Sequence, residues 1–91
     1  MKNTWLMVNA VFYDGQNAYV SKFIVKGDDY DPFITINPDS EARIEEYLSG
    51  NGELLKIDIL YSVDFDNIIA LKDADEPELR CAYQRFKEMY F

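Results

Sequence analysis

The chain has no histidine and a single cysteine, Cys81, among its 91 residues. Without histidine it lacks the side chain that most often serves as general acid or base near neutral pH, which counts against enzymatic chemistry. A lone cysteine excludes an internal disulfide and fits a reducing compartment, so a cytoplasmic location is expected. No apolar run approaches the roughly 18 residues of a membrane-spanning helix. The run Trp5-Leu6-Met7-Val8 is too short for the core of a signal peptide. Positive charge is also scarce: 9 Lys and Arg face 17 Asp and Glu, for a net charge of −8. Nucleic acid and anionic membranes both recruit positive surface, so neither is expected as a direct partner.

What is present is apolar and aromatic. Hydrophobic residues make up 48% and aromatics 15%, with 7 Tyr and 6 Phe, enough to build a core and too much for a disordered chain. The length fits one domain over residues 1–91.

The acids are concentrated. Residues 1–27 carry three Lys and one Asp, and residues 79–91 carry Arg80, Arg85 and Lys87 against Glu88. Residues 28–78 hold 15 acids against Arg43, Lys56 and Lys72, a net of −12. An acidic middle lies between mildly basic ends.

Hydrophobic patterning predicts the elements. Trp5–Tyr13 is apolar apart from Asn9 and rich in strand formers, so it reads as a strand buried on most of both faces. Asp14-Gly15-Gln16-Asn17 signals a hairpin turn into a second strand over 18–26. A loop from Gly27 to Pro32 leads to a short strand over Phe33–Ile36. Asn37-Pro38 opens a helix, since Asn caps well and Pro fits the first helical position. Its inward stripe is Ile44, Tyr47 and Leu48, and Gly50 or Gly52 ends it. Over Leu54–Val63, Leu55, Ile57, Ile59, Tyr61 and Val63 alternate with Lys56, Asp58 and Ser62, which predicts a half-buried strand. Asp64–Asn67 reads as a turn and Ile68–Leu71 as a fifth strand. Asp75 is the N-cap candidate for a last helix whose core stripe is Leu79, Ala82, Tyr83, Phe86 and Tyr90. The expected fold is α+β, an antiparallel sheet of about five strands with two helices packed on one face, in the order β-β-β-α-β-β-α.

Four groups of residues are candidates for chemistry or recognition. Asp28, Asp29 and Asp31 share a loop and carry hard oxygen ligands, but the spacing matches no EF-hand, and a solvated loop is expected. Asp64 and Asp66 could pair for acid–base work, yet both are ordinary turn residues. Cys81 has no histidine to activate it and is expected to be a semi-buried structural thiol. No cofactor or metal is therefore expected. Trp5, Met7 and Tyr13 share one side of the first strand, and would form an apolar interface if the helices cover only the other side.

The acidic block is the strongest signal. Glu41 and Glu45 are four apart on the predicted helix, with Glu46 just around the cylinder. Asp58, Asp28, Asp29 and Asp31 would extend that surface. Clustered like charges repel, so a contiguous cluster calls for a reason, and imitation of closely spaced DNA phosphates is one. Solubility is the plainer one.

In its size, its acidity from Asp28 to Glu78 and its lack of catalytic parts, the chain resembles small phage inhibitors of host defence nucleases, the Arn-type anti-restriction DNA mimics and the anti-CRISPR proteins. The resemblance implies a non-enzymatic inhibitor or modulator that binds a protein partner with a basic, nucleic-acid-handling surface. The alternative expectation is a structural interaction module or homodimer subunit that uses the apolar strand face.

Overall fold

The computed structural model describes residues 2–91. Strand β1 (Lys2–Tyr13) pairs antiparallel along its whole length with β2 (Ala18–Asp29). The turn between them follows from its residues. Asp14 Oδ1 accepts the amides of Gln16 at 2.8 Å and Asn17 at 2.7 Å, while Gly15 takes φ +102°, a conformation that side chains resist. Strand β3 (Ile34–Ile36) extends the sheet only beside Gly27–Asp29. Strand β4 (Glu53–Val63) lies on the other side of β1. The sheet is antiparallel, in the order β3-β2-β1-β4.

Helix α1 (Pro38–Leu48) starts as its sequence dictates: Asn37 Oδ1 accepts the amide of Asp39 at 2.9 Å and Pro38 opens the first turn. After Leu48 the chain turns at Gly50, φ +86°. At Gly52 a side chain would strike the Tyr13 carbonyl oxygen at 2.8 Å, so only glycine lets β4 start against the end of β1.

The expected fifth strand does not form. Residues 65–73 fold as α2 (Phe65–Ala70) and a 3₁₀ turn (Leu71–Asp73). A short apolar run fits a buried strand or a buried helix turn equally well. Here Ile68 alone is fully buried, and that is a helix's one-sided burial rather than a strand's. The last helix, α3 (Pro77–Tyr90), begins one residue later than the predicted cap, at Glu76. Among the described residues the order is thus β-β-β-α-β-α-α, with four strands and three α-helices.

The helices also divide between both faces instead of sharing one. Alternate residues of β1 point to opposite sides. Leu6, Val8 and Ala10, with Phe23 and Val25 of β2, pack under Ile44 and Leu48 of α1. Met7 and Ile24, on the other side, pack under Ile68 of α2 and Ala82 and Phe86 of α3. The near-continuous apolar run of β1 is the sequence counterpart of this double burial.

Two register shifts break the pairing of β4 with β1, between Met7 and Val8 and between Val11 and Phe12. They leave Leu60 and Leu55 without partners on β1. The alternation expected for β4 is therefore broken. Ile57 and Ile59, opposite Ala10 and Val8, share the α1 side, whereas Tyr61 and Val63, opposite Met7 and Trp5, face the α2/α3 side. No helix is long and apolar enough to cross a membrane among the described residues.

Candidate functional site

The acids predicted to bind a partner do not form one face. Asp28 is buried and accepts the side-chain amide of Asn37 at 3.1 Å, so it ties the end of β2 to the cap of α1. Asp29 is half-buried and its Oδ1 accepts the amide of Asp31 at 3.0 Å. Asp31 is exposed, at the β3 edge of the sheet. Asp58 lies at the other edge, on β4 opposite Asn9, and so on the sheet face away from α1. Its carboxylate pairs with Lys56 at 3.3 Å.

Glu41, Glu45 and Glu46 remain together, all exposed on α1. None of the three takes part in an ion pair among the described residues. Arg43, the one cation on α1, is turned elsewhere: it bonds the carbonyl of Met89, lies 4.9 Å from the ring centre of Tyr90, and pairs with Asp39 at 3.7 Å. Its charge is directed at Asp39 and α3 rather than at the three glutamates. Glu41 and Glu45 border a groove with Leu54, Leu55, Lys56 and Ile57 of β4. Glu46 opens on another groove, with Arg43, Tyr47, Glu88 and Met89. There Tyr47 donates its hydroxyl to Glu88 at 2.8 Å, and burial, with this carboxylate beside it, pushes the phenol pKa up.

The apolar interface predicted on β1 is not at the surface. Met7 is fully buried, and the half-buried Trp5 meets Phe86 and Tyr90 edge-on, at 5.0 and 5.1 Å between ring centres. The cover is α2 and α3, which the two-helices-on-one-face expectation placed elsewhere. Only Tyr13 is exposed, and its hydroxyl donates to the Gly15 carbonyl.

Exposed apolar side chains are scattered elsewhere, from Val20 and Phe33 to Phe91, and four share β4, where Leu55, Ile59, Leu60 and Tyr61 are 40–55% exposed. The apolar neighbours Leu54-Leu55 and Ile59-Leu60 were the available signal, since each breaks the period of two where the register shifts. Cys81 is exposed rather than semi-buried, in a depression with Lys22 and Arg85. Asp64 precedes the first residue of α2, without a capping bond from its side chain, and Asp66 lies in the first turn. No cluster of three His, Cys, Asp or Glu able to hold a metal occurs among the described residues.

No family model, no curated protein and no solved structure matches the chain.

Proposed function

We propose that the chain acts without catalysis, as an acidic protein that occupies the basic surface of a nucleic-acid-handling partner and blocks it. The observation that carries this reading is α1, which presents Glu41, Glu45 and Glu46 to solvent while its own Arg43 is held against α3. Carboxylates fixed on a helix can take the place of phosphates against the Lys and Arg of a basic groove. Asp29 and Asp31 form a separate patch, and Asp28 has a structural part, so the contact set contracts to the α1 glutamates. A phage protein that disables a defence nuclease is the form of this reading that the compositional resemblance favours.

Long-range attraction between an acidic helix and a basic groove speeds encounter and fades with salt. The test is competition. The chain should displace DNA from its partner, and the E41K/E45K/E46K variant should not. Displacement by the triple variant equal to that of the wild type would remove α1 from the mechanism.

A further inference from the structure

The two edges of the sheet are finished differently. Along β2, β3 covers Gly27–Asp29, and side chains cover part of the rest. The Lys26 amide donates to Ser40 Oγ at 3.1 Å and to the Tyr90 hydroxyl at 3.2 Å, and the Lys22 carbonyl accepts from Arg85 at 3.0 Å. Beside β4 there is nothing of the kind. Among the described residues, Glu53–Val63 makes no hydrogen bond other than its ladder to β1. An open edge of this length with apolar side chains is a template for another strand.

We propose that the strand which pairs there is β4 of a second copy, antiparallel about a dyad at Ile57. The charges of β4 choose the register. A dyad through a continuous antiparallel sheet requires one residue to face its own copy. Centred on Lys56, the pairing sets two lysines face to face, and centred on Asp58 two aspartates, both unfavourable. Centred on Ile57, it sets Lys56 against the partner's Asp58 and Asp58 against the partner's Lys56. Within one copy the two side chains pair with each other at 3.3 Å, and at 64% and 52% exposed they remain open to the same pair of the partner. The register shifts at Leu55 and Leu60 confine regular pairing to the stretch between them, and Ile57 lies within it.

The dimer places both α1 helices on one face of a continuous sheet. Each α1 lies over β1, between β2 and β4. In the central order β1-β4-β4-β1, strand spacings of about 4.8 Å put the helices about 14 Å apart. That is wider than the roughly 8–10 Å of packed helices, so a groove remains between them, bordered by Glu41 and Glu45 of each copy. Their mutual repulsion weakens the dimer at low ionic strength, and salt strengthens it. The inference stands apart from the acidic-surface reading: charge exchange at Lys56 and Asp58 leaves α1 intact, and reversal of the α1 glutamates leaves β4 intact.

The experiment is sedimentation equilibrium of the wild type, Lys56→Asp and Asp58→Lys, each alone and the two variants mixed, with circular dichroism as a check on folding. The wild type should double in mass over a concentration series, more readily at higher salt. Each single variant sets like charges against like and should remain monomeric. Mixed, the two variants should form a heterodimer, because every cross-strand pair is then opposite in charge. A wild type that stays monomeric, single variants that dimerise as the wild type does, or a mixture that fails to associate would each overturn the proposal.

Discussion

The hydroxyls of Ser40 and Tyr90 meet at 2.7 Å and both accept from the amide of Lys26. One contact thus joins α1, α3 and the exposed side of β2, and it brings together helices that otherwise serve opposite faces of the sheet. Loss of either hydroxyl, in S40A or Y90F, should cost about 1 kcal/mol, because the other still accepts from the amide. The double variant leaves the amide without a protein partner and should cost more than the two singles together. Urea denaturation of the four proteins measures the difference, and strict additivity would show that the hydroxyls act separately.

Phe86 is 1% exposed and its ring lies within 6.5 Å, centre to centre, of Trp5, Phe65, Tyr83, Tyr90 and Phe91. The F86A variant should lose ~3–5 kcal/mol, a large part of the ~5–15 kcal/mol that holds a small domain together. The lone tryptophan, edge-on to Phe86, makes intrinsic fluorescence a direct readout of the unfolding curve. A loss below about 1 kcal/mol would mean that the face under α2 and α3 is packed by other residues.

The amides of Asn17 and Gln16 hold the Asp14 carboxyl below its ordinary pKa of 3.8. A folded-state pKa below the unfolded one means that the carboxylate form favours folding. The contribution is present above the unfolded value and is lost as pH falls through the folded one. The D14A variant should therefore be less stable than the wild type at pH ~6, and the gap should shrink as pH falls below the carboxyl's ordinary 3.8. Thermal melts across that range test it, and a gap independent of pH would assign the effect to the turn's backbone alone.

Much of this architecture was legible where local chemistry decides. Asp14-Gly15 specified the hairpin and Asn37-Pro38 the start of α1, because a turn and a cap depend on a few adjacent residues. The apolar run of β1 announced burial on both faces, yet the helices were expected on one, since what covers a strand is decided by distant segments. Ile68–Leu71 is too short for its periodicity to separate strand from helix. In β4 the register shifts exchange the faces of Tyr61 and Val63, which a clean alternation conceals. The acidic block was plain in the sequence. That Asp28 caps a contact inside the fold, and that Asp58 faces away from α1, depends on tertiary placement.

The α1 glutamates are the proposed contact with the partner, and capture of that partner is their test. The tagged wild type and its E41K/E45K/E46K variant are each passed over host-cell lysate, and bound proteins are eluted along a salt gradient and identified by mass spectrometry. A nuclease or other DNA-handling protein should leave the wild type at moderate salt and be missing from the variant. Equal capture by both proteins, or a partner that resists high salt, would contradict it and leave the acidity of α1 to solubility alone.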